Sequence, residues 1–260
     1  MQVASCQVHR LKNETFNIFL GRCYCVLMDL PELTEKLKEI KARGFIKTHR
    51  AHDTGIGKTL EDLLGVKENN LRLPDIGEIE LKAKRMDSDS MLTIATKSPL
   101  PKGVNKVLFE KYKYLDEEGQ YNLHSTVVGS RVNPQGFQVA LNDRSLTLKN
   151  RDAIEAAWPI SIFDDVLKSK SNQILLVFAE TKGERKTEGE QFHYTEAYLL
   201  SGLNINKFKT AINNDKLKID IRIGVYRSGE NKGRYHDHGT GFRINKRDFL
   251  GLFDSYRQIL

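Results

Sequence analysis

Apolar positions recur along this chain at two spacings, and the spacing separates helices from strands. Leu30, Leu33, Leu37 and Ile40 form one stripe at helical spacing. Asp29 stands before the stripe as a cap, Glu32 follows three residues later, Pro31 lies in the first turn and Gly44 follows the end. This predicts a helix ending before Gly44. A short second helix is predicted over 58–64, stopped at Gly65 and carrying Glu61. Another is predicted over 104–115, before the turn Asp116-Glu-Glu-Gly119. Asn204 caps a further predicted helix with Ile205, Phe208 and Ile212 inward, and a closing helix is predicted over 246–258.

Alternation with period two marks the strands. In the plainest, Leu217, Ile219, Ile221, Ile223 and Val225 alternate with Lys218, Asp220, Arg222, Gly224 and Tyr226, giving one core face and one polar face. The stretch 78–84 alternates too. Ile79, Leu81 and Ala83 can face a core while Glu80 and Lys82 project together, roughly 7 Å apart along the strand. Strands are also predicted over 90–97, broken by Ser98-Pro-Leu-Pro101, over 121–128, and over 137–149 with a hinge at Asn142-Asp143. The continuous apolar run 174–179 reads as a buried strand, and 192–198 and 240–244 complete the set. Residues 227–239 read as a glycine-rich basic loop. Helices and strands interleaved over 260 residues predict an α/β, mixed α+β, unit of one large domain or two lobes.

Composition narrows the class. A hydrophobic share of 39% and a charged share of 29% are those of a soluble globular protein. No run of 18 apolar residues is present to span a membrane, and no signal-peptide core is found, so a cytoplasmic location is expected. Cys6, Cys23 and Cys25 lie together at the start, which excludes a disulfide framework, and Cys23-Tyr-Cys25 alone is a poor zinc site. Met28 immediately precedes the first cap. It is therefore expected to be the natural first residue, with 1–27 an upstream extension. Residues 204–247 hold eleven Lys and Arg against four Asp and Glu, which is the whole net charge of +7. So basic a block fits a polyanion partner, with a solvated basic surface as the plain alternative.

Candidate chemistry centres on Asp75-Ile-Gly-Glu-Ile-Glu80-Leu-Lys82. Two carboxylates hold a hard cation such as magnesium. The cation and the lysine together lower the cost of forming a hydroxide beside a phosphate. The set suits metal-dependent cutting of a phosphodiester, with Glu61 as a third acid of the same pocket; an ordinary solvated strand face is the alternative. Gly57-Lys58-Thr59 is no phosphate loop, because His52 stands where that pattern needs glycine. His236-Asp237-His238 offers metal-ligand residue types, but its spacing matches no zinc hydrolase signature. A nucleic-acid reading uses the region better. Arginines such as Arg222 and Arg243 can donate twice to guanine, and Asp220 can accept from cytosine. The surrounding lysines would meet phosphates.

Four runs carry a family resemblance: Thr54-Gly-Ile-Gly-Lys-Thr-Leu-Glu61-Asp-Leu-Leu, Pro74-Asp-Ile-Gly-Glu-Ile-Glu-Leu-Lys82, Thr96-Lys-Ser-Pro99, and Asp220-Ile-Arg-Ile-Gly-Val-Tyr226 followed by His236-Asp-His-Gly-Thr-Gly-Phe-Arg-Ile-Asn245. In this order they closely resemble the MvaI/BcnI family of type II restriction endonucleases, relatives of the nickase MutH. The resemblance runs from about Met28 to near the C-terminus. It implies a PD-(D/E)XK core sheet flanked by helices, with a catalytic lobe over 28–130 and a DNA-recognition lobe over 131–260. It implies magnesium, double-stranded DNA, a monomer, a companion DNA methyltransferase and a CC-N-GG-like site. Asp75 and Glu80 are then the expected metal ligands, Lys82 the residue that positions or activates water, and Glu61 the auxiliary acid. Asp220, Arg222, His236, His238 and Arg243 match the base-reading region. Lys58, Lys97, Ser98, Tyr226 and Lys232 are expected at the DNA backbone. A partner-controlled nickase and a DNA-binding protein without catalysis are the rival readings.

Overall fold

The computed structural model describes residues 28–66, 76, 79–170 and 173–260. The expected start at Met28 concerns residues 1–27, which lie outside the described residues. In chain order the elements are α1 (Leu30–Ala42), β1 (Ile46–Lys47), α2 (Gly55–Leu64), β2 (Ile79–Arg85), β3 (Leu92–Thr96), α3 (Val104–Tyr112), β4 (Tyr114–Leu115), β5 (Tyr121–Val127), β6 (Phe137–Leu141) and β7 (Ser145–Asn150). They continue with β8 (Ala153–Pro159), α4 (Ser161–Lys170), β9 (Gln173–Lys182), β10 (Gln191–Ser201), α5 (Ile205–Asn213), β11 (Leu217–Val225), β12 (Tyr235–Asp237), β13 (Gly241–Ile244), α6 (Lys246–Phe249) and β14 (Ser255–Gln258).

Local chemistry explains the helix ends. Asp29 accepts from the Glu32 N–H at 2.9 Å, and Asn204 accepts from the amides of Asn206 and Lys207. Helix α2 ends at Gly65, whose φ of 75° is the left-handed cap that glycine allows without a Cβ clash. This helix starts earlier than expected, at Gly55. A Cβ there would meet the Arg50 carbonyl at 2.2 Å, so glycine lets the incoming loop close tightly.

The strands form a first sheet in the order β1-β10-β9-β2 with β14 on β10, and a second in the order β3-β13-β11-β5-β4 with β12 on β11. A three-stranded sheet, β6-β7-β8, completes them. Strand β9 is covered on both faces. Leu175, Val177 and Ala179 pack with α1 and α2, whereas Ile174, Leu176 and Phe178 belong to the larger core with Trp158, Phe163, Phe208 and Phe242. The unbroken apolar run therefore reflects a strand between two cores.

Further expectations change. The closing helix over 246–258 is a short helix, a 3-10 turn over Leu250–Leu252 and strand β14, which pairs with β10. Phe249, Leu252 and Phe253 are buried, so the apolar spacing is satisfied at the helical turn and the exposed strand after it follows the edge of β10. The basic loop 227–239 contains β12, paired with β11. Both main sheets join strands from either side of residue 130: β2 pairs with β9 in the first, and β5 with β11 in the second.

Candidate active site and base-reading face

Strand β2 carries the candidate cutting residues. Its parallel partner β9 sets Leu81 beside Leu175 and Ala83 beside Val177, on the side of α1 and α2. Alternation then turns Glu80 and Lys82 to the other face. Glu80 is buried, and the Lys82 Nζ lies 3.5 Å from its Oε1. Glu61 stands on α2, which packs against β2. Its Oε1 lies 4.0 Å from where a Cβ on Gly57 would be, so the carboxylate leans over the glycine of the helix's first turn.

A buried ion pair fixes α2 against this strand. Arg85 closes β2, and its Nε and one terminal nitrogen each donate to Glu190 at 2.7 Å. Its other terminal nitrogen donates to the Asp53 carbonyl at 3.2 Å, just before α2. Burial pushes the Glu190 carboxyl up, but hydrogen bonds from Arg85 and the Lys186 amide more than offset this and hold it below its usual range. Tyr194 on β10 adds a second tie, donating to the Ile56 carbonyl at 2.8 Å. These ties were not foreseen from sequence, where Arg85 and Glu190 are 105 positions apart.

Asp75 lies outside the described residues; Glu80 and Lys82 are the described members of the acid–acid–lysine set. Among the described residues no group of three His, Cys, Asp or Glu stands ready to hold a metal. The donors that the motif offers are carboxylate oxygens. That chemistry fits a hard cation such as magnesium and not a soft metal.

The second sheet gathers the C-terminal candidates. Asp220 is buried on β11, and its Oδ2 accepts from Arg222 Nε and from Arg243 Nη1, both at 2.6 Å. Its Oδ1 accepts from the Thr126 hydroxyl at 2.9 Å. Burial pushes the Asp220 carboxyl up, and the donors, Arg243 foremost, more than offset this and hold it below its ordinary value. In this structure Asp220 therefore aims two arginines, where sequence had it accepting from a base. Tyr226, His236 and His238 form a row of rings, with centroids 4.1 Å apart for the first pair and 4.0 Å for the second. Asp237 points elsewhere, accepting from Asn105 at 2.8 Å and from the Gly239 amide at 2.7 Å.

One cleft of about 590 Å³ joins the two sheets, with Lys82 and Lys84 of β2 on one side and Arg222 and Arg243 on the other. The segment between β2 and β3 is tied from both. Lys84 donates to Ser90, Arg243 to the Met91 carbonyl at 3.2 Å, and Lys246 to the Met86 carbonyl at 2.7 Å. Burial, then Lys246 and Arg243, push the Lys84 ammonium down to about 8. Of the expected backbone contacts, Ser98, Tyr226 and Lys232 are exposed and Lys97 is half-buried. Lys58 is ion-paired with Asp62 at 2.8 Å.

The model of the MvaI/BcnI restriction endonuclease family matches residues 34–253. The chain belongs to the MvaI/BcnI restriction endonuclease family. It is 34% identical to the restriction endonuclease MvaI in complex with cognate DNA, with a TM-score of 0.80 over 90% of this chain and 100% of that one. To MvaI in the absence of DNA it is again 34% identical, over 88% of this chain and 96% of that one, with a TM-score of 0.51. No curated protein matches the chain. The mixed α+β fold and the restriction endonuclease class expected from sequence both hold. At equal identity the arrangement of this endonuclease follows that of the complex more closely. Among the described residues no helix is long and apolar enough to cross a membrane.

Proposed function

We propose that this endonuclease makes magnesium-dependent double-strand cuts in DNA at a short CC-N-GG-like site, leaving 5′-phosphate and 3′-hydroxyl ends. The observation that carries the reading is the shared cleft: Lys82 and the paired arginines face one volume. A duplex lying there would present a backbone to one sheet and base edges to the other. Its resemblance to MvaI, solved with cognate DNA, supports the same reading.

Glu80, with Asp75 and Glu61, would hold the magnesium, whose charge would neutralise the phosphate oxygens. Lys82 orients the attacking water beside the Glu80 carboxylate. The water gives up a proton as its oxygen bonds to phosphorus and the bond to the 3′ oxygen breaks, and the leaving 3′ oxygen takes up a proton. Arg222 and Arg243, aimed by Asp220, each donate to the O6 and N7 of a guanine. His236 and His238 flank them in the groove, while Lys58, Lys97, Ser98, Tyr226 and Lys232 meet the backbone. One copy carries both parts, which supports action as a monomer, one strand at a time. The lobes expected over 28–130 and 131–260 then act as one clamp. A host DNA methyltransferase would protect the same sites in the cytoplasm.

The test is digestion of unmethylated phage DNA with protein and magnesium alone, followed by sequencing of the ends. Discrete double-strand fragments sharing one short site are expected. Nicked circles from a plasmid would favour a MutH-like nickase instead, and intact DNA a binding protein without catalysis.

A further inference from the structure

Three polar side chains of β5 share the face that looks over the base-reading sheet: Asn122, His124 and Thr126. Two are consumed internally. Asn122 is buried and donates to Asp116 at 2.6 Å, and Thr126 donates to Asp220 at 2.9 Å. His124 is exposed between the buried Leu123 and Ser125, and its ring makes no hydrogen bond to any described residue. An exposed, unbonded ring at mid-strand contributes little to the fold.

Register places this ring beside the arginine pair. His124 is the direct cross-strand partner of Arg222, and beyond Arg222 the His238 amide donates to the Arg222 carbonyl at 3.2 Å. His124, Arg222 and His238, the last just past the end of β12, thus form a row. Gly224, the next residue on that face of β11, keeps the ground beside the row low. A Cβ there would meet Asn122 Oδ1 at 2.7 Å, so the glycine leaves room for the Asn122 side chain on the same face. Partial burial, then Arg222 and Arg227, lower the His124 pKa, against the opposing pull of Asp220 and Asp116. The neutral ring offers one donor and one acceptor, which suits a base edge better than a phosphate.

We propose that His124 is a further specificity-determining residue, donating a ring N–H to a purine acceptor in the major groove beside the base that Arg222 reads. Neighbouring strands lie about 4.8 Å apart, and successive bases rise about 3.4 Å, so the contact falls one or two base pairs from that of Arg222. The proposal rests on the reading of this face as the base-reading one.

Cleavage rates should be measured for the unaltered protein, H124A, H124Q and R222A, on duplexes carrying the mapped site and every single-base-pair variant of it. H124A is expected to lower discrimination by about 5- to 150-fold at one or two adjacent base pairs, the equivalent of about 1–3 kcal/mol. Discrimination elsewhere and the salt dependence of binding should be unchanged, and H124Q, which keeps a donor and an acceptor, should retain part of the selectivity. Equal loss on all duplexes, with a shallower salt dependence, would make His124 a backbone contact and overturn the proposal. Unchanged discrimination in H124A beside relaxed discrimination in R222A would overturn it alone. Unchanged discrimination in R222A would overturn the reading of the face itself.

Discussion

The two main sheets hold their charged residues in different ways. Strand β2 lies beside β9, which is buried from Ile174 to Ala179 between two cores, and the pairing is parallel. Strand β11 belongs to a wholly antiparallel sheet, with Ile219, Ile221 and Ile223 inward and Arg222 in solvent. On the first sheet a lysine stands 3.5 Å from a buried glutamate; on the second, two arginines close on one buried aspartate at 2.6 Å. On the first sheet Glu80 and Lys82 are both largely enclosed. On the second sheet Arg222 stands out in solvent, whereas Arg243 is mostly buried beside the Asp220 carboxylate that holds both.

The largest expected effect breaks one side and spares the other. Lys82→Ala should lower single-turnover cleavage by about 10²–10³-fold or more, the scale for removing one positioned electrostatic group. Binding to the mapped site, measured by gel shift, should stay within a few-fold. Near-normal cutting by this variant would remove Lys82 from the chemistry. Glu190→Ala should come next, because it strands Arg85 in a buried site. A loss of about 3–5 kcal/mol in urea unfolding is expected, with a higher magnesium requirement in whatever folds, since Arg85, which holds the loop before α2, loses its anchor.

On the reading side, Arg222→Ala or Arg243→Ala should weaken discrimination by about 1–3 kcal/mol at a guanine position, with cleavage of the best site still magnesium-dependent. The comparison sharpens if these variants change which duplex is cut and Lys82→Ala changes only whether it is cut. Acid should probe the anchor. The Asp220 carboxyl titrates in the folded protein below its ordinary 3.8. Its stabilisation is therefore complete above that value and is lost as pH falls through the folded value. Asp220→Asn should flatten that acid limb of the stability profile, read by circular dichroism. The smallest effect is Asp29→Ala, about 1 kcal/mol from the loss of one helix cap, which should leave discrimination untouched.

Much of this was legible in the residues. Asp29 and Asn204 announced their helices because a cap acts within three residues, and the alternation of 217–225 announced β11 because one face is core. The hairpin partners β6 and β7 read as one hinged strand, with the turn at Asn142-Asp143. No element was read between Lys149 and Ile174, where β8 and α4 lie. Strand β14 was hidden for a clear reason: its four residues are all exposed, so no alternation marks them, and only the free edge of β10 makes them a strand.

The sequence by itself determined the local and the chemical: which segments coil or extend, that Glu80 and Lys82 share a face, and that a basic block follows residue 203. These depend on neighbours a few residues away. The tertiary structure alone decided which residues meet across the chain. It put Arg85 on Glu190, aimed Arg222 and Arg243 from the single carboxylate of Asp220, and set His124 opposite Arg222. It also opened Lys82 and the arginines onto one cleft. Strand pairing and register create those encounters, and they follow from how the two cores close, which no short stretch of residues encodes.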